Sequence, residues 1–191
     1  MLTAITIEHL TTGQRSQDTG VAYLYCNFRR QDEQTAGHLL ASLLQQLSQT
    51  APSLPDSVKT LYDSHKHKKT RPSFDEISKA LQSVAPMYTR VYIFLDALDE
   101  CQVSDGCRAR FLAGIFTVQA KSGINIFATS RYIPEIVEAF EGSVTQEIRA
   151  DDEDVRRYLN GQMLRLPGFV RRNDELQEEV KTGIIQSVRG M

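Results

Sequence analysis

The stretch VYIFLDALDE, residues 91–100, joins a run of apolar residues directly to a cluster of carboxylates. The residues Val91 to Leu95 are aromatic, β-branched or leucine without polar alternation, which predicts a strand buried on both faces. Strands of this kind belong to parallel sheets that are covered by helices on both sides. The stretch therefore predicts an α/β fold in which Asp96, Asp99 and Glu100 follow the carboxyl end of an inner strand.

Three further segments are predicted to be strands of the same sheet, and helical patterns separate them. The additional predicted strands are Val21–Phe28, Ile124–Ala128 and Val144–Ile148. Apolar residues at helical spacing predict helices over 2–10, 35–49, 106–121 and 133–140, with two more helices between 54 and 85. The alternation of strands and helices predicts a doubly wound parallel sheet in a three-layer α/β/α arrangement.

After Ala150 the sequence has no further strand pattern. The segments 151–166 and 174–188 are amphipathic and begin with acidic residues, as helices do at their positive ends. We therefore predict two domains, a sheet-containing core over residues 1–150 and the start of a helical subdomain over residues 151–191.

Composition and charge exclude several classes of protein. The 191 residues carry a formal net charge of −2, which favours neither nucleic acid nor an anionic membrane as a partner. The chain has three cysteines without paired zinc-ligand spacing, and its first residues lack the pattern of a secretory signal. These features favour a reducing, cytoplasmic environment.

The polar residues that follow two of the predicted strands are the candidate site. Ligands of parallel α/β sheets bind outside the carboxyl ends of the strands. The cluster Asp96, Asp99 and Glu100 suits Mg²⁺ and a base that orients water, whereas Arg131, which follows Thr129 and Ser130, suits a terminal phosphate. The alternatives are that Asp96 and Asp99 cap the following turn while Glu100 is simply solvated, and that Arg131 makes an ordinary surface salt bridge.

Two of these segments resemble the motifs of NACHT-type signal-transduction NTPases, which are P-loop proteins of the STAND class. VYIFLDALDE is similar to their second acidic motif, and NIFATSR, residues 125–131, is similar to their sensor strand. VAYLYCNFRRQDEQ and EIRADDEDVRRYL resemble the NACHT modules of fungal ankyrin-repeat receptors and of nephrocystin-like proteins. The resemblance covers nearly the whole chain, and it implies that residues 1–150 are part of an NTPase core and that residues 151–191 begin a helical lid.

The resemblance implies roles for particular residues. It implies that Asp96 holds Mg²⁺, that Asp99 and Glu100 polarise water, and that Arg131, with Thr129 beside it, contacts the γ-phosphate. The first motif of the family is G-x-x-x-x-G-K-[ST] after a strand. It does not occur among the 191 residues, which contain no Gly-Lys pair. We therefore expect a fragment that lacks the first strand and its phosphate-binding loop, and that is inactive alone.

Three functions remain open at this point. The first is part of a NACHT switch module whose complete parent binds ATP and Mg²⁺, hydrolyses ATP slowly and controls assembly. The second is a non-catalytic remnant that needs no cofactor and associates with itself or with related NACHT proteins through open sheet edges. The third is a carboxylate-metal hydrolase that acts without nucleotide.

Overall fold

The computed structural model describes residues 2–12, 18–149 and 151–189. These residues form two compact units that divide between Glu141 and Gly142. The first unit contains the sheet, and the second contains helices only. The assignment of the two parts of the chain to an NTPase core and a lid stays a prediction.

Three parallel strands form the sheet of the first unit. They are β1 (Thr19–Tyr25), β2 (Arg90–Asp96) and β3 (Asn125–Ala128), and they lie in that order across the sheet. In the register, Tyr25 is opposite Asp96 and Leu95 is opposite Ala128, so the carboxyl ends of all three strands meet at one edge. The three predicted strands are confirmed. β1 ends three residues earlier than predicted because its ladder with β2 ends at Asp96.

Among the described residues of the first unit, six segments are α-helices. They are α1 (Leu2–Thr12), α2 (Ala36–Thr50), α3 (Asp56–Lys66), α4 (Phe74–Val84), α5 (Cys107–Ser122) and α6 (Pro134–Ala139). The side chain of Thr35 caps the start of α2, and Ser73 and Glu76 form a reciprocal capping box at the start of α4. All of these helices were predicted to within a few residues.

The helices cover the two faces of the sheet. On one face α2, α4 and α5 pack around a core that includes Leu24, Ile93 and Leu95. On the other face Phe94 is buried and packs against Phe127, and α1 contacts β1 and β2. The predicted α/β fold class with a parallel sheet is confirmed, and the arrangement is compatible with a P-loop NTPase-like fold.

The predicted strand Val144–Ile148 is wrong. Residues 143–149 have no regular secondary structure, and Val144 and Ile148 are exposed. The segment has only two apolar residues in five, and a strand is stable only where a neighbour supplies hydrogen-bonding partners. Within the described residues the sheet consists of β1, β2 and β3 alone.

The second unit is a small helical assembly. Its helices are α7 (Asp152–Gln162), α8 (Gly168–Arg171) and α9 (Asp174–Arg189). Leu159, Met163 and Ile185 form its core. Across the described part of the chain, no helix has the length and apolar character that crossing a membrane requires.

Candidate functional site

The ends of β2 and β3 are tied together by backbone hydrogen bonds. The Thr129 N–H donates to the Leu95 carbonyl at 2.9 Å, and the Leu98 N–H donates back to the Thr129 carbonyl at 2.9 Å. The Cys26 N–H donates to the Asp96 carbonyl at 3.0 Å, which adds the end of β1. The three strand ends thus form a fixed base for the acidic loop that follows β2.

Two hydroxyl groups hold the carboxylate of Asp96. Thr3 of α1 donates to Asp96 Oδ1 at 2.5 Å, and Thr129 donates to the same oxygen at 2.8 Å. Thr3 is only 1% exposed. The described residues give Asp96 Oδ2 no hydrogen bond or ion pair, so one oxygen of this carboxylate is oriented and the other is available.

A left-handed residue turns the chain immediately after Asp96. Ala97 has φ 52° and ψ 49°, a conformation that costs a non-glycine residue about 1–2 kcal/mol. Its N–H donates to the Thr129 hydroxyl oxygen at 3.0 Å. Leu98, which follows, is completely buried and anchors the loop in the core. A short 3₁₀ turn, Leu98–Glu100, follows and carries Asp99 and Glu100.

Asp99 and Arg131 form a two-point ion pair. The backbone N–H of Arg131 donates to Asp99 Oδ1 at 3.0 Å, and its Nε donates to Oδ2 at 2.6 Å. The side chain of Asp99 is 5% exposed, whereas that of Arg131 is 81% exposed. Burial alone would raise the pKa of the Asp99 carboxyl, but the hydrogen bonds from Arg131 outweigh it and the pKa lies below its ordinary value.

Glu100 links the acidic loop to the segment that follows β1. Its Oε2 accepts the N–H of Phe28 at 3.2 Å. That segment is itself ordered, since Gln34 bonds both the N–H and the carbonyl of Asn27. Glu100 is partly exposed, so its carboxylate lies at the open rim of the sheet edge.

The three cysteines follow or begin elements at this end of the first unit: Cys26 follows β1, Cys101 follows Glu100, and Cys107 is the first residue of α5. Cys26, Cys101 and Cys107 are all free and buried. The hydrogen bond with Cys101, followed by burial, raises the pKa of the Cys26 thiol. The thiol of Cys107 donates to the Gln34 carbonyl at 3.1 Å. Cys26 is part of the core, since a protonated buried thiol packs as a small apolar group.

The structure brings together all five predicted site residues, Asp96, Asp99, Glu100, Thr129 and Arg131. The aspartates do not cap the following turn, because Ala97 stands at its N-cap and no side chain bonds there. Two features of the site were not predicted. They are the contact of Thr3 with Asp96 and the left-handed backbone of Ala97, and neither leaves a signal in the local sequence.

The candidate site lies at the carboxyl edge of the sheet. Two shallow cavities of about 360 and 300 Å³ lie elsewhere in the first unit, and neither is lined by Asp96, Asp99 or Glu100. Within the described residues no group of three or more His, Cys, Asp or Glu side chains could hold a metal ion.

Comparison with known proteins gives one family. No curated protein sequence matches the chain significantly. A solved structure described as the crystal structure of a DNA replication initiation factor is similar at 16% identity with a TM-score of 0.32. That match covers 98% of this chain and 59% of the other, and at this TM-score it does not define a common fold. The family model described as nephrocystin 3, N-terminal, matches residues 1–131, and the chain therefore belongs to that family.

Proposed function

We propose that this chain is part of a NACHT-type nucleotide switch, whose complete form binds ATP with Mg²⁺ and uses slow hydrolysis to control assembly. The observation that carries the proposal is the carboxylate of Asp96, which has one oxygen fixed by two hydroxyls and the other available at the carboxyl ends of parallel strands. This is the edge at which α/β sheets bind ligands. Membership of the nephrocystin 3 N-terminal family agrees with a nucleotide-binding role.

The residues at this edge suit magnesium that is shared with a nucleotide. Mg²⁺ prefers hard oxygen ligands and is usually bound by one or two carboxylates together with phosphates and water. Asp96 would be the protein carboxylate, with the hydroxyls of Thr3 and Thr129 orienting it. When bound, the ion would neutralise charge on the phosphate oxygens.

Asp99, Glu100 and Arg131 have different roles in this proposal. Glu100 lies at the open rim and would orient the attacking water, assisted by Asp99. Arg131 would bind the γ-phosphate through its guanidinium, which presents several N–H donors in a fork that suits phosphate oxygens. To bind a phosphate, the Arg131 guanidinium would have to leave the carboxylate of Asp99, while the backbone N–H of Arg131 keeps its hydrogen bond to Asp99.

The phosphate-binding loop would come from residues outside the 191. The contact of Thr3 with Asp96 places the first turn of α1 at the carboxyl edge of the sheet. A chain that enters α1 at Leu2 therefore arrives from the edge where the phosphates would lie. Backbone N–H groups at a helix start bind phosphate, so this position favours a loop directly before α1.

The test uses a protein that joins this chain to a strand and G-x-x-x-x-G-K-[ST] loop from a member of the same family. We expect Glu100→Gln to lower ATP hydrolysis at least tenfold while the affinity for ATP stays within about twofold. Gln102→Asn, close by in the same loop, is the matched control. If the Glu100→Gln variant hydrolyses ATP as fast as the parent, the role proposed for Glu100 is wrong.

A second candidate function is association through the sheet, and a difference between the two sheet edges favours it. At the β1 edge the side chain of Gln46 accepts the Tyr23 N–H at 3.0 Å and donates to the Tyr23 carbonyl at 2.9 Å. This amide occupies the backbone groups that an added strand would need. Among the described residues β3 pairs with β2 alone, so its outer edge is the place where another strand would add.

Sedimentation of the 191-residue chain over a range of concentrations tests this candidate. Association through the outer edge of β3 should be weakened by Ala128→Pro. The Thr129 N–H bonds to β2, so by alternation the Ala128 N–H faces outward, and proline is tolerated on an edge strand where it removes only such an outward N–H. Gln46→Ala alters the other edge and should not weaken it. A chain that stays monomeric at every concentration, or an equal loss in both variants, would contradict association through β3.

A further inference from the structure

The hydroxyls of Thr3 and Thr129 converge on one oxygen of Asp96 from two different elements. Thr3 lies in the first turn of α1, and Thr129 follows the last residue of β3. Both donate to Oδ1, at 2.5 and 2.8 Å. A carboxylate oxygen that accepts two such bonds is restrained in both position and rotation, because the two donors approach it from different directions.

The direction of the Thr129 bond is fixed by its other partner. A hydroxyl has one proton to donate, and its oxygen can also accept. The Ala97 N–H occupies the Thr129 oxygen at 3.0 Å, which leaves the hydroxyl proton for Asp96. The chain of donors therefore runs from Ala97 through Thr129 to Asp96 Oδ1.

Burial makes these contacts matter. Thr3 is 1% exposed and Thr129 is partly buried, so water does not readily replace a lost hydroxyl. Threonine also has a stiff χ1, which holds its hydroxyl in one orientation. Both side chains are suited to keep Asp96 in a single rotamer.

We propose that Thr3 and Thr129 are positioning residues for a divalent cation at Asp96. They occupy Oδ1, so that Oδ2 is presented to the ion at the sheet edge. The inference rests on the proposed function, in which Asp96 is the carboxylate that binds the metal. Groups that orient a metal ligand in this way typically change metal affinity 10- to 100-fold when they are removed.

The experiment uses the 191-residue chain and Mn²⁺ as a paramagnetic probe in place of Mg²⁺. Bound Mn²⁺ broadens the NMR signals of nearby amides, so broadening at Ala97 and Thr129 during a titration reports metal near Asp96 even at low occupancy. Thr3→Val and Thr129→Val remove one hydroxyl each with little change of shape. Thr3→Ser and Thr129→Ser keep the hydroxyl, and Thr6→Val removes another hydroxyl of α1 that bonds only to its own helix.

We expect Thr3→Val and Thr129→Val each to raise the Mn²⁺ concentration for half-maximal broadening about tenfold. The two serine variants and Thr6→Val should stay within about twofold of the parent. The amide spectrum of each variant shows whether it is folded, and the serine variants separate loss of the hydroxyl from loss of packing.

The outcomes distinguish the proposed metal site at Asp96 from the proposed positioning role of Thr3 and Thr129. If Asp96→Asn broadens like the parent, or the parent is not broadened near Asp96 at all, the metal site of the proposed function is wrong. If Asp96→Asn abolishes the broadening but both valine variants bind Mn²⁺ like the parent, the metal site stands and the positioning role is wrong. An equal loss in the serine and valine variants would also overturn the positioning role.

Discussion

Asp96 and Asp99 lie three residues apart in one loop, yet their surroundings are opposite in kind. Asp99 has both oxygens occupied by Arg131, one of them by a charged group, and its side chain is 5% exposed. Asp96 has two neutral donors on one oxygen and no bond to the other from the described residues. Asp99 is therefore held by Arg131 at both oxygens, whereas Asp96 keeps one oxygen that the proposed cation would use.

The largest expected effect is on stability. Asp99→Ala removes the partner of the Arg131 N–H and of its guanidinium, and we expect it to lower the free energy of unfolding by about 1–3 kcal/mol. Asp96→Asn keeps an oxygen that can accept from Thr3 and Thr129, so its effect should stay below about 1 kcal/mol. Urea unfolding of both variants measures the two values. If Asp96→Asn lowered the free energy of unfolding as much as Asp99→Ala does, the two aspartates would not differ in their structural role.

A smaller effect is expected at Ala97, the left-handed residue between the two aspartates. Ala97→Gly should raise the free energy of unfolding by about 0.5–1 kcal/mol, because glycine adopts the left-handed conformation without a Cβ penalty. Ala97→Val should lower it, since a β-branched side chain fits this conformation poorly. Thermal unfolding of the pair measures both directions. Destabilisation by Ala97→Gly would show that the methyl group of Ala97 contributes more than its backbone costs.

Stability should also depend on pH through the carboxyl group of Asp99. The pKa of Asp99 is lower in the folded chain than its ordinary value of about 3.9, so its contribution is fully present above that value. As the pH falls through the lowered folded pKa, Asp99 becomes protonated and the contribution is lost. The parent should therefore exceed Arg131→Ala in stability at neutral pH, and the difference should shrink below about pH 4.

Urea unfolding of the parent and Arg131→Ala from pH 7 downward tests this sign. Arg29→Ala is the matched control, since its guanidinium lies over the ring of Phe28 rather than on a carboxylate of the acidic loop. A difference between parent and Arg131→Ala that stays constant through the acid range would mean that Asp99 is not the group responsible.

The sequence predicted the parts of this site that depend on local pattern. Continuous apolar runs identified β1, β2 and β3, and their shared direction brought Asp96, Asp99 and Arg131 to one edge. The prediction of a strand at Val144–Ile148 failed because the segment has only two apolar residues in five and no neighbouring strand pairs with it among the described residues.

Contacts between distant parts of the chain were beyond prediction from local pattern. Thr3 and Asp96 are 93 residues apart, and their bond exists only because α1 packs at the carboxyl edge of the sheet. The hydrogen bonds of the Gln46 side chain to the backbone of Tyr23 also depend on the packing of α2 against β1. The bond between Asp99 and Arg131 likewise depends on the ends of β2 and β3 being adjacent.

The most direct test of the central claim compares Asp96→Asn with Asp99→Asn in the protein that joins this chain to a phosphate-binding loop. Thermal unfolding is followed with ATP alone and with ATP and Mg²⁺, where ligand at about 100 times its dissociation constant adds ~2.7 kcal/mol of stability. The account predicts that Mg²⁺ increases the stabilisation by ATP in the parent and in Asp99→Asn, but not in Asp96→Asn. A Mg²⁺-dependent increase that survives in Asp96→Asn and is lost in Asp99→Asn would contradict it.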